Sequence, residues 1–150
     1  MSGGGVGPER RAELLAAARA ARARSYSPYS RFAVGAALLG ASGRVYTGTN
    51  VENASFGLTI CAERAAVCQA VAAGEREFVA IAIVGDERTP TPPCGACRQV
   101  LQEFAPRLRV LLAGGGVDEE WGLDDLLPRA FVTFDGHSGA GGEPGPEGAK

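Results

Sequence analysis

Cys61, Glu63, Cys94 and Cys97 are the residues of this chain whose types and spacing could do chemistry together. Cys94 and Cys97 form a C-x-x-C directly after the pair Pro92–Pro93, and Glu63 lies two residues beyond Cys61. Both groups open stretches with helical periodicity. Helix N-termini favour thiolates, because unpaired N–H groups and the macrodipole stabilise negative charge. Two helix starts presenting three thiolates can meet over one cation, and three protein ligands with an open fourth position is how catalytic zinc is held. Water in the open position becomes acidic enough to supply hydroxide near neutral pH. In mid-helix, residues two apart point roughly 200° away from each other. Cys61 and Glu63 therefore share a site only if the metal lies over the helix N-terminus. A carboxylate there can take a proton from zinc-bound water and pass it to a leaving group. That combination is hydrolytic machinery.

Zinc with three thiolates carries a formal charge of −1, which opposes ionisation of its water. Arg64 is the expected correction, a guanidinium that draws charge off the thiolates, and Arg98 beside Cys97 is a second candidate. A dithiol redox reading of the C-x-x-C leaves Cys61 and Glu63 unexplained. A structural four-cysteine site would need Cys68, which lies two helical turns, ~10 Å, beyond Cys61 and is too far for one metal with ~2.3 Å bonds. Cys68 is expected instead to be a small buried hydrophobe. His137, the only histidine, is expected to be solvated.

The elements that must position these residues are legible in outline. Glu9–Arg24 has the alanines and long side chains of a helix, with Leu14, Leu15, Ala18 and Ala21 as its apolar stripe. Its arginines also suit a transit peptide, but Glu9 and Glu13 oppose that. Phe32–Leu39 and Val45–Val51 are apolar runs split by Ala41–Arg44, as in an antiparallel hairpin. Cys61–Ala73 is helical. Phe78–Val84 has no polar break, as expected of a strand covered on both faces. Cys94–Phe104 reads as a helix, Arg107–Leu112 as a short strand and Leu123–Leu127 as a last helix stopped by Pro128. Strands alternating with helices imply an α/β sheet with helices on both faces. The expected domain is 9–135, between Gly/Pro-rich tails 1–8 and 136–150 that read as disordered.

Composition narrows the class. The chain has 150 residues, 45% hydrophobic and 21% charged, enough for one domain with its own core. A net charge of −2 argues against a partner held through nucleic-acid phosphates. No apolar run approaches the ~20 residues of a membrane span, and none resembles a secretory signal. The expectation is a cytoplasmic protein without nucleic-acid or membrane partners.

C-A-E at Cys61–Glu63 followed by P-C-G-A-C-R-Q at Pro93–Gln99 resembles the zinc-dependent cytidine deaminases, whose zinc and non-ligand Glu chemistry is a general pattern. P-Y-S-R-F-A-V-G-A-A-L (Pro28–Leu38), N-V-E-N-A-S (Asn50–Ser55), T-I-C-A-E-R (Thr59–Arg64) and L-L-P-R-A-F (Leu126–Phe131) extend the match over about residues 10–135. The resemblance implies a three-layer α-β-α sandwich around a mixed sheet of about five strands with an N-terminal β-hairpin. It implies one zinc per chain on Cys61, Cys94 and Cys97, with Glu63 as proton shuttle. Asn50 and Glu52 would hold the ribose hydroxyls, an acidic acceptor that also repels a phosphate. Phe32 would pack on the pyrimidine, and Ala62 would line the base site. Phe131 matches an aromatic that reaches a neighbouring subunit's site in the family's short, homotetrameric form, so active sites would sit at subunit interfaces. The implied reaction is hydrolytic deamination of cytidine and deoxycytidine in pyrimidine salvage, by attack of zinc-bound hydroxide at C4. Ala33, Phe56 and Pro92 depart from the residues usual at those places. A deaminase of another free aminopyrimidine, such as a nucleoside antibiotic, is the nearest rival.

Overall fold

A computed structural model describes residues 5–133. The expectations for residues 1–4 and for the tail holding His137 fall outside them. Helix α1 (Pro8–Arg22) starts one residue earlier than the sequence suggests, with Pro8 at its first position, where the missing N–H costs nothing. Strands β1 (Gly35–Gly40) and β2 (Val45–Thr49) form the expected hairpin. Helix α2 (Ala62–Ala72), strand β3 (Phe78–Val84), helix α3 (Gly95–Phe104) and strand β4 (Arg109–Gly114) follow. Strand β5 (Val117–Gly122) and the single turn α4 (Leu123–Leu126) end the described chain. The mixed sheet has five strands in the order β2-β1-β3-β4-β5, and only the β3–β4 pair is parallel.

Alternation along β3 separates two cores, as the two-residue strand period requires. Ile81 and Ile83 join Leu38, Val67, Leu101, Leu108 and Leu112 beneath α2 and α3. Ala80 and Ala82 join Ala37, Leu39 and Leu111 beneath Leu14, Leu15 and Ala18 of α1. Alanine on the α1 side lets that helix lie close to the sheet. The approach is tightest at Gly35, where a Cβ would run into the Ala18 carbonyl and the Arg22 backbone. The result is the three-layer α-β-α arrangement expected. No described helix is long and apolar enough to cross a membrane.

One strand was not legible in the sequence. V-D-E-E-W-G carries too many acidic residues to read as β, yet it pairs along the whole of β4 as β5. Glu120 is held by Arg11 of α1 (2.6 Å) and by Arg109 of β4 (2.9 Å). Charges on an edge strand also discourage pairing with another sheet.

Topology sets the site. Helix α2 leads into β3 and α3 leads out of it, so both run antiparallel to β3 with their N-termini at its carboxyl end. Ligands of open α/β sheets bind at carboxyl ends of strands, where the winding reverses. Gly48 of β2 fixes the height of α2, since a Cβ there would meet the Ala62 carbonyl and the Ala66 amide.

Candidate metal centre and nucleoside cavity

Cys61 and Cys94 are the N-caps of α2 and α3, both in extended backbone (φ −75°, ψ 153° and φ −66°, ψ 165°). Cys97 is the third residue of α3 and fully buried. Pro93 contributes to the sharp entry into α3, because the residue before a proline is itself held extended. The three sulfurs lie within 4.8 Å of one another. Tetrahedral zinc with ~2.3 Å bonds to sulfur needs sulfurs ~3.8 Å apart, a separation that lies within this bound.

The electrostatics of the cluster point the same way. Glu63, in the first turn of α2, is only 5% exposed. Burial pushes its carboxyl pKa up, against the opposing influence of its hydrogen bonds and of Arg64. Burial likewise raises the Cys97 thiol, helped by the nearby Glu63 carboxylate. At Cys94 burial acts upward too, but hydrogen bonds from the Cys97 backbone and from the thiols of Cys97 and Cys61 outweigh it, and the net shift is down. Arg64 donates from Nη2 to Cys61 Sγ (3.2 Å) and to the Thr59 carbonyl (3.4 Å). The bond to Cys61 raises its own pKa. Arg64 thus faces Cys61 and Cys97, and three thiols beside a buried carboxyl form a donor set that a soft-tolerant divalent cation completes. Arg64 Nε is buried without a partner, as suits a guanidinium among sulfurs.

Arg98 does not supplement Arg64 in this way. It spends Nε on the Pro93 carbonyl (2.8 Å) and Nη1 on the Leu126 carbonyl (2.7 Å). Cys68 also departs from expectation. It is exposed on α2, because the buried face of the helix is carried by Ala62, Glu63, Ala66, Val67 and Ala70.

A cavity of about 280 Å³ opens over Cys61, Glu63 and Cys94. Phe32, Asn50, Glu52 and Ala62 line it, as do Ser30, Val34, Thr59, Thr91 and Pro92. The cavity therefore brings together every candidate site residue except Cys97, which is buried against the sulfurs of Cys61 and Cys94; Arg64, which donates to Cys61 from behind; and Phe131. Phe131 is 59% exposed and is not among the described residues lining the cavity of its own chain.

Asn50 and Glu52 do more structural work than their sequence positions announce. Asn50 Oδ1 accepts the Val34 amide (2.9 Å) and the Ser25 hydroxyl, and Nδ2 donates to the Phe32 carbonyl (2.7 Å). Glu52 Oε1 accepts the amides of Tyr29 (2.9 Å) and Ser30 (3.1 Å), and Oε2 accepts the Ser30 hydroxyl. These bonds, the Ser30 hydroxyl foremost, hold the carboxyl below its ordinary pKa. They also hold the loop in which Arg31 has φ 58°, a left-handed conformation that costs a non-glycine residue about 1–2 kcal/mol. Nothing in residue type or spacing marks Ser30 and Thr59 as site residues. Each also lines an adjoining cavity of about 240 Å³ beneath Tyr29 and Phe56, whose rings meet edge-on at 5.7 Å.

Comparison with known proteins fixes the class. The profile of the cytidine and deoxycytidylate deaminase zinc-binding region matches residues 8–113. A cytidine deaminase of Halalkalibacterium halodurans is 50% identical over 124 residues, covering 81% of this chain and 94% of that one. A crystal structure of cytidine deaminase from Burkholderia pseudomallei superposes with a TM-score of 0.77 at 52% identity, covering 80% of this chain and 98% of that one. The cytidine deaminase of Mycobacterium tuberculosis gives 0.73 at 45%, covering 81% and 97%. The chain belongs to the zinc-binding cytidine and deoxycytidylate deaminase family, a family of hydrolytic deaminases.

Proposed function

We propose that this chain hydrolyses cytidine and deoxycytidine to uridine and deoxyuridine, releasing ammonia, as a cytoplasmic enzyme of pyrimidine salvage. The observation that carries the reading is a buried carboxyl, Glu63, beside three converging thiols at the floor of a cavity walled by Asn50 and Glu52. Cys61, Cys94 and Cys97 hold one zinc. When bound, zinc supplies Lewis acidity that makes water a nucleophile near neutral pH.

Glu63 takes the first proton of the water that attacks C4 and delivers it to N3 of the ring, then takes the second from the hydroxyl now on C4 and delivers it to the amine as the C4–N bond breaks and the carbonyl forms. Its burial suits a group that must hold a proton between two transfers. Arg64 offsets the thiolate charge. Phe32 and Ala62 bound the flat base.

The ribose reading rests on capacity left over. An amide has two N–H donors and a carboxylate about four acceptor sites. After the bonds described, Asn50 keeps one donor and Glu52 Oε2 keeps one acceptor site. A donor and an acceptor side by side suit a single sugar hydroxyl, so ribose and deoxyribose serve alike. A phosphate would meet Glu52.

The cavity is open at its rim, and we assign its closure to Phe131 of a neighbouring copy in a homotetramer. Support comes from the exposure of Phe131 and of the apolar Phe56 and Leu58 (73% and 65%), since large apolar side chains left to water mark interaction surfaces when they lie together.

An ultraviolet assay of the purified protein, run beside a metal analysis, tests the reading. Cytidine and deoxycytidine should be consumed by protein holding about one zinc per chain, with free cytosine and cytidine monophosphate consumed poorly. Comparable rates on cytosine and cytidine would overturn the roles of Asn50 and Glu52.

A further inference from the structure

Two residues immediately after Cys97 reach the same distant segment. Arg98 Nη1 donates to the Leu126 carbonyl (2.7 Å) while its Nε holds the Pro93 carbonyl (2.8 Å). Gln99 Nε2 donates to the Phe131 carbonyl (2.8 Å). Between the two anchored carbonyls the chain passes Pro128 and then Arg129, which has φ 58°. A non-glycine residue persists in that conformation only where its surroundings over-determine it. Helix α4 ends at Leu126, and Arg129 and Phe131 are exposed.

The geometry points to Arg98 and Gln99 as positioning residues that tie the segment bearing Phe131 to the helix bearing Cys94 and Cys97. The helix that sets two sulfurs would then also set where Phe131 leaves the subunit. Its direction of departure would thus be referenced to the metal-binding end of α3 rather than left to a free tail. The inference rests on the reading of Phe131 as a residue that closes a nucleoside site. Arg98 also braces the Pro93 carbonyl, so its loss would disturb the Cys94 turn. Gln99 is half-buried on the helix surface and is the cleaner probe.

Gln99→Leu keeps size and helix propensity and removes the donor. Two measurements on the zinc-loaded, full-length protein test its role. The first is the rate of tryptic cleavage between Arg129 and Ala130, expected to rise at least several-fold over the unsubstituted protein. The second is steady-state kinetics on cytidine. Loss of one neutral hydrogen bond corresponds to about a two- to tenfold effect, expected in KM, with kcat within about twofold and zinc content unchanged. If Gln99 acts through Phe131, Gln99→Leu should add nothing further to KM in a Phe131→Ala background, because the two changes then break one linkage.

An unchanged cleavage rate overturns the clamp. A raised KM that persists in full in the Phe131→Ala background overturns the claim that Gln99 acts through Phe131. The parent reading fails by a different sign, normal kinetics for Phe131→Ala alone.

Discussion

At the floor of the cavity Cys97 and Ala62 are fully buried and Glu63 nearly so, whereas at the rim Phe32 is 41% exposed and Phe131 stands outside the cavity altogether. The floor is made by two helix starts that the topology delivers to the carboxyl end of β3. It is finished within one chain. The rim is made by loops, and its apolar side chains have too little of the described chain over them to be desolvated. The difference separates what a fold of this size can complete alone, a small polar centre, from what it cannot, a roof over a flat aromatic substrate. On the function proposed above, the catalytic groups sit on helix starts and the recognition surface sits on loops that a second copy would reach.

The sharpest break of that comparison is at the floor. Glu63→Gln keeps the shape of the side chain but cannot accept a proton. Turnover of cytidine should fall by about three or more orders of magnitude, with the fold and about one zinc per chain retained. Circular dichroism and metal analysis beside the assay check this. Near-normal turnover would make the metal structural and the carboxyl an ordinary buried group.

At the rim the expected effect is smaller. Phe131→Ala should lower kcat/KM by the few kcal/mol typical of losing a buried aromatic contact, and zinc should stay. Mixing makes the test specific to an interface. Inactive Glu63→Gln subunits and weak Phe131→Ala subunits, reassembled together, should regenerate sites that pair an intact Glu63 with a neighbour's intact Phe131. Activity no greater than the average of the parents would place Phe131 within its own subunit or outside the reaction.

Asn50 belongs to both regions, and its substitution should show it. Asn50→Ala strips partners from the Val34 amide and the Phe32 carbonyl. Each buried polar group left unpaired costs about 1–3 kcal/mol. Urea unfolding should therefore shift to a lower midpoint, together with a higher KM for cytidine. A KM effect at unchanged stability would mean that the amide serves substrate and not the loop.

The sequence disclosed the floor far better than the rim, for a physical reason. A metal centre needs particular residue types at particular helix positions, so the convergence of Cys61, Cys94 and Cys97 can be expected from residue type, spacing and helix starts. The β1–β2 hairpin, β3 and the two metal-binding helices were legible for a related reason, since period and turn chemistry are local. Strand β5 was not, because its acidic residues are made tolerable by Arg11 and Arg109 from distant segments. The double use of Asn50 was hidden as well, since no local pattern says that a side chain will satisfy three groups at the start of a hairpin. Phe131 and Phe32 are marked as candidates only by family resemblance, since an aromatic in a loop has no periodicity of its own.

Cys68 should give the smallest effect, and it makes the comparison within α2 alone. The residue lies seven positions after Cys61, about 10 Å along the helix, and its side chain is exposed on the face away from the sheet. Exposure removes the cavity cost that a buried cysteine would carry, and alanine is the better helix former. Cys68→Ala should therefore change stability by no more than about 0.5 kcal/mol, with zinc content and turnover unchanged. Cys61→Ala, one heptad earlier on the same helix, should lose both zinc and activity, because it removes a ligand and leaves Arg64 without its sulfur. Metal analysis of the two variants side by side is enough. Zinc lost from Cys68→Ala and kept by Cys61→Ala would show that the metal is held further along α2, and the convergence of three sulfurs at the helix starts would have to serve some other purpose.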